Sequence, residues 1–212
     1  MALNTDAPIS QAQAVQAITW LKSNFGQQIA DAVKDTHYLV DNICGIACQE
    51  TAYFWLNFID TLSPQDICAR CVLDASGDAP DTHRSAFPRN TDAFRNTYGP
   101  ERTQMLIDEA NLTRKLRKFQ PQNWVYKGYG IFQYDLQFVE VDPDFFFQKR
   151  WYDFSACLDR VMRELRRTWT QYGDIFDAIR AYNGSGHSAS VYAQNVLAYS
   201  GFAGDVTGVM AA

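Results

Sequence analysis

The chain has 212 residues, 47% of them hydrophobic, 14% aromatic and 20% charged, which is the make-up of a globular protein with a real core and excludes disordered, collagen-like and coiled-coil chains. A net charge of −5 argues against a nucleic-acid partner held through a general phosphate footprint. The longest apolar stretch, Asn42 to Ile59, is interrupted by Gln49, Glu50 and Asn57, short of the roughly 20 apolar residues of a membrane span.

The N-terminus, Met1-Ala2-Leu3-Asn4-Thr5-Asp6-Ala7-Pro8, lacks the basic and apolar regions of a secretory signal. Synthesis in the cytoplasm is therefore expected. Periodicity then predicts a helix over Ser10 to Ser23 and a second over Asp41 to Asp60. Ser63-Pro64 starts a short helix that should run to about Asp74. From Ser76 to Pro100 the chain is rich in Asp, Arg, Asn, Thr, Gly and Pro, which reads as a long surface loop. A charged helix follows from Glu101 to Phe119, and Pro121 stops it. Trp124 to Tyr134 carries aromatics, β-branched residues and glycines, as in a short strand or hairpin. A long amphipathic helix spans Asp153 to Tyr172. Asp174 caps another through Tyr182, and the turn Asn183-Gly184-Ser185-Gly186 leads into a last helix, Ser188 to Tyr199.

Glu50 is the one charge between Asp41 and Asp60. At about 100° per residue it shares a stripe with Ile43, Ile46 and Phe54, so burial should disfavour its carboxylate. A carboxyl kept protonated in this way suits a general acid that protonates a leaving group, as in glycoside cleavage. The plainer alternative is a buried Glu paired with Arg70 or Arg180. In Gly128-Tyr129-Gly130-Ile131-Phe132-Gln133-Tyr134-Asp135 the glycines permit close backbone approach, and Gln133 and Tyr129 offer hydrogen bonds and a ring face to a sugar. An ordinary hairpin turn explains the same pattern. Ala181-Tyr182-Asn183-Gly184 reads by itself as a capped helix end.

In this order the three segments resemble the lysozyme-like superfamily of goose-type lysozymes and soluble lytic transglycosylases. There a catalytic Glu on a buried helix, usually followed by Ser, precedes a Gly-Leu-Met-Gln segment and then an Ala-Tyr-Asn-Gly segment. The counterparts here are Gln49-Glu50-Thr51, Gly130-Ile131-Phe132-Gln133 and Ala181-Tyr182-Asn183-Gly184. The resemblance implies a mainly α (α+β lysozyme-like) fold: a single domain over residues 1–212, with a small β-hairpin and a large insertion at about 62–127 beside the cleft. It implies that Glu50 is the acid, that Gln133 and Tyr182 line a sugar cleft and that Asn183 supports its wall. Asp135 looks like the second carboxylate of goose-type lysozymes, which could hold the attacking water in an inverting hydrolysis. Lytic transglycosylases instead use one Glu as acid and then base, with the muramyl 6-hydroxyl as nucleophile. Thr51 stands where Ser is usual, and the Glu50-to-Gln133 spacing is far longer than in most transglycosylases.

The implied partner is peptidoglycan or a related amino-sugar polymer, with no cofactor. It would be reached after non-classical export or lysis. A chitinase-like enzyme and a non-catalytic glycan-binding module are the alternatives.

The five cysteines, Cys44, Cys48, Cys68, Cys71 and Cys157, are expected to be core thiols or to form one or two disulfides, with a four-thiolate zinc site the weaker option. The histidines show no ligand spacing, and Walker and nucleophile-elbow patterns are absent. The basic run Arg114-Lys115-Leu116-Arg117-Lys118 reads most simply as a solvated helix face.

Overall fold

A computed structural model describes residues 2–75 and 77–205. It is mainly helical, with a small antiparallel sheet. The chain divides into two compact units, one of residues 1–64 and 158–212 and the other of residues 65–157, where the sequence suggested one domain with an insertion at about 62–127. Among the described residues no helix is long and apolar enough to cross a membrane.

In the first unit, α1 (Gln11–Val33) starts at Ser10, whose hydroxyl accepts from the Gln13 amide while the Gln13 side chain accepts from the Ser10 amide. This reciprocal cap sets the start where the sequence placed it. The helix then continues ten residues past its expected end at Ser23, because Phe25 and Ile29 prolong its buried stripe. α2 (Val40–Trp55) packs Trp55 against Trp20 of α1, ring centroids 4.9 Å apart. α7 (Phe154–Tyr172), within which the division between units falls, is followed by α8 (Ile175–Asn183), capped by Asp174, and α9 (Gly186–Gly201).

The crossing of α2 and α9 needs a glycine. A Cβ on Gly45 would lie 2.5 Å from the Val196 carbonyl oxygen and 2.9 Å from the Ser200 hydroxyl, so only a bare backbone permits this approach. Asn42 of α2 donates to the Ser200 hydroxyl at 3.3 Å, which fixes the register. Buried tyrosines of this core reach backbone: Tyr38 donates to the Leu165 carbonyl at 2.9 Å and Tyr199 to that of Ile9 at 3.1 Å.

The second unit is built of short pieces. α3 (Pro64–Arg70) ends four residues before the expected Asp74, and β1 (Val72–Ala75) replaces the expected last turn. Val72 and Leu73 pair with Tyr129 and Gly128 of β2 (Tyr126–Tyr129), so cross-strand pairing overrides a helical continuation. β3 (Tyr134–Asp135) completes the sheet in the order β1-β2-β3. The expected hairpin is thus present as two of three strands.

The segment read as loop from Ser76 to Pro100 contains α4 (Thr91–Tyr98). Asn90 caps it by accepting from the Ala93 amide at 2.8 Å, and Asp78 accepts from both the amide and the hydroxyl of Thr91. Eight residues carry too little periodicity to be seen, yet Phe94 is wholly buried. α5 (Pro100–Leu116) and α6 (Pro143–Phe147) follow, the second contributing Phe145 and Phe146 to an aromatic core with Tyr129, Tyr134 and Trp151.

The basic run on α5 departs from expectation at its first residue. Arg114 is only 2% exposed, with its Nη1 donating to Asn111 at 2.9 Å and to the Trp124 carbonyl at 3.1 Å. It is an interior residue, because the chain after α5 folds back over it.

Candidate functional site

Glu50 lies in the fourth turn of α2, on the stripe of Ile43, Ile46 and Phe54, all of which are buried. It is half-buried, less enclosed than the sequence implied. One carboxyl oxygen accepts a hydrogen bond of 2.7 Å from the Tyr192 hydroxyl of α9. Burial pushes the Tyr192 hydroxyl far above the ordinary tyrosine range, and the Glu50 charge pushes it further in the same direction. Tyr192 therefore stays protonated and acts only as a donor to the carboxylate.

Tyr182, near the end of α8, brings its ring to 6.3 Å from that of Tyr192 and is half-buried. Asn183 is exposed as the last residue of α8, and the Gly184 amide closes the helix on the Arg180 carbonyl. Glu50, Tyr192, Tyr182 and Asn183 thus belong to one helical unit. Tyr192 escaped the sequence reading. Its signal was a hydroxyl-bearing ring on the small, apolar face of Ala189, Ala193 and Val196. Of the arginines offered as plain partners of Glu50, Arg70 pairs with Glu109 and Arg180 with Asp177.

The remaining candidates belong to the second unit. Tyr129 was expected to offer a ring face to substrate, but it is fully buried and packs edge-on against Phe146 and Trp151. It is a core residue, since the β1–β2 pairing turns its side chain inward. Gln133 holds a left-handed backbone at φ +53° in the turn between β2 and β3. Its amide nitrogen donates to the carbonyls of Cys71 and Gly130, so the side chain ties this turn to the end of α3. The turn is tight because a Cβ on Gly130 would lie 2.4 Å from the Cys157 sulfur.

Asp135 is clamped. Arg84 donates to both carboxylate oxygens, the Gln137 amide donates to one of them at 2.7 Å, and Arg84 also donates to the carbonyls of Phe87 and Pro88. A carboxylate held in this way caps the 3-10 turn Leu136–Glu140. Three donors already occupy it, and a water would have to compete with a bidentate guanidinium for a charge that is largely neutralised.

A second carboxylate, Glu109 on α5, is nearly enclosed. It accepts from Lys149 at 2.7 Å, from the Tyr152 hydroxyl at 2.7 Å and from Arg70 at 2.8 Å. Burial alone would raise its pKa, but the donors from Lys149 and Tyr152 and the charge of Arg70 outweigh that and hold it below the ordinary carboxylate range. Burial and Glu109 together push Tyr152 up to about 12.

All five cysteines are buried free thiols, as core packing implied. Burial pushes Cys44 up to about 12 and raises Cys48 and Cys68 well above the ordinary thiol value. Among the described residues no three of His, Cys, Asp and Glu come together as a metal site. No family model matches the chain, and comparison with curated proteins and with solved structures finds no match.

Proposed function

We propose that the protein is a glycosidase of the lytic transglycosylase type, cleaving the β-1,4 link of an N-acetylhexosamine polymer, peptidoglycan first, with Glu50 as acid and then base. The observation that carries this reading is the 2.7 Å hydrogen bond from the buried Tyr192 hydroxyl to Glu50, with Tyr182 beside it. A buried donor fixes one carboxyl oxygen and so orients the group that must hold the proton.

In the first step Glu50 gives its proton to the bridging oxygen as the bond from that oxygen to the sugar C1 breaks. In the second it takes the proton of the muramyl 6-hydroxyl as that oxygen closes on C1, so no water is consumed. The one-carboxylate route is preferred over inverting hydrolysis because Asp135 is already committed to Arg84.

Mass spectrometry of products from purified peptidoglycan tests the reading. Wild type is expected to release 1,6-anhydro products, and Glu50→Gln to fold normally and lose about 10³-fold of the activity. Reducing-end products would overturn the single-carboxylate route, and an equally active Glu50→Gln would overturn the role of Glu50. A glycan-binding module without turnover is the second reading, favoured by the inward commitment of Gln133 and Asp135. Binding of glycan by a folded wild type without any product would select it.

A further inference from the structure

The second unit contains a hollow of about 400 Å³ along the end of α5, lined among others by Arg114, Arg117, Phe119, Gln122, Trp124 and Tyr126. Its walls are formed without a ligand. Asn111 donates to the Gln122 carbonyl at 3.0 Å and accepts from the Gln122 amide at 2.9 Å, while Arg114 holds the Trp124 carbonyl. The Phe119 amide donates to the Arg114 carbonyl at 2.8 Å, folding the chain over the helix end.

Two guanidiniums in this wall form no ion pair among the described residues. Arg114 is 2% exposed, sits 4.2 Å from the centre of the Tyr126 ring, and its Nη2 finds no hydrogen-bond partner among the described residues. Burial holds it below the ordinary guanidinium range, although the neighbouring tyrosines and Asp78 oppose this. Arg117 lies 4.6 Å over the Phe119 ring, half-buried, and takes part in no ion pair among the described residues. Asp78, the carboxylate that acts on Arg114, is shared with the Thr91 amide and hydroxyl, so the buried cation is only partly compensated and a bound anion would relieve it. The one carboxylate in the wall, Asp74, is largely exposed and 3.9 Å from Lys127. Beside the cations the hollow offers aromatic faces, on which the C–H face of a sugar ring packs, and the amides of Gln120 and Gln122, which match hydroxyls.

We propose that this hollow binds a sugar that carries a carboxylate, with the acid group on Arg117 and in the field of Arg114 and the ring against Trp124 and Tyr126. The sugar rests on the glycan reading above; the carboxylate comes from the hollow's own charge.

The test is a titration of the full chain, followed by NMR shifts and calorimetry, with two probe pairs that differ at the acid group: N-acetylmuramic acid against N-acetylglucosamine, and glucuronic acid against glucose. The acidic member of each pair is expected to bind about tenfold more tightly. Arg117→Gln, checked for an unchanged melting curve, should erase that preference, and Trp124→Phe should weaken both members of each pair. Glu50→Gln should leave the binding intact whether or not it alters glycan cleavage, so the two proposals fail separately. Equal binding within each pair, a preference that survives Arg117→Gln, or loss of binding in Glu50→Gln would overturn the proposal. So would inorganic phosphate displacing the acidic sugars at equal concentration, since that marks a simple anion site.

Discussion

The two units bury polar groups by different rules. In the helical unit of α1, α2, α8 and α9, Tyr38 and Tyr199 reach backbone carbonyls and Ser200 joins α2 to α9, so the interior holds hydroxyls but no ion pair among the residues that build its core. In the unit of residues 65–157 the interior holds Glu109 and Arg114 outright, with Arg70 close behind. Buried polar atoms without a partner among the described residues occur in both units, Gln49 Oε1 and Arg180 Nε in the first and Arg70 Nη1, Arg114 Nη2, the Tyr129 hydroxyl and Gln133 Oε1 in the second, where they are more numerous. Long helices satisfy their own backbone and need only an apolar seam. Short segments leave many chain ends and must be tied by side chains. The second unit therefore depends on its charges, whereas the first depends on fit.

The sharpest way to break this contrast is Glu109→Ala. Removing one partner of a buried pair leaves Arg70 uncompensated, and the expected loss is about 3–5 kcal/mol. Hydrogen exchange should accelerate along α5 and β1 while α2 and α9 keep their protection. Uniform acceleration would deny the units their separate character.

The pH dependence follows the same residue. Glu109 has a folded pKa below its unfolded value, so its contribution is fully present above the ordinary carboxylate value of 4.5 and is withdrawn as pH falls through the lowered folded value. Acid melts of wild type against Glu109→Gln should show the variant losing less stability between neutral pH and the acid limb.

Tyr192→Phe removes one hydroxyl from Glu50, and a hydrogen bond to a charged group is worth about 1.5–3 kcal/mol. We expect a loss of unfolding free energy in that range, read by denaturant melts, and, on the proposed function, a fall in turnover in protein that is still folded.

Ser10→Ala removes the reciprocal cap of α1 and should cost about 1 kcal/mol, read as a lower melting point with no change in activity. The smallest effect expected is none at all. With their thiols buried and pushed up in pKa, Cys44, Cys48 and Cys68 should resist alkylation at pH 8 in the native protein and react on unfolding.

The same contrast explains what could be read in advance. α1, α2, α7 and α9 were legible because each carries four or more turns of 3.6-residue periodicity, and the short α8 because Asp174 caps its start and glycines follow its end. α4 was not, because eight residues give only two turns and its anchors, Asp78 and Val125, lie outside the segment. The end of α3 was misplaced because the pairing of Val72 with Tyr129 joins residues far apart in sequence. For the site, Glu50 stood out as a lone charge in an apolar helix, but its donor Tyr192 lies 142 residues away and no local pattern announces it.

Sequence alone determined that the chain is mainly helical, where its long helices start, and that Glu50 is the carboxyl to examine. These follow from local periodicity, capping and the cost of a charge on an apolar stripe, all of which act within a few turns of chain. Only the tertiary structure decided that Tyr129 and Arg114 are interior, that Asp135 is bound to Arg84, and that Gln133 braces a turn. Each of those outcomes depends on a partner brought from a distant segment, and burial is a property of the assembled chain.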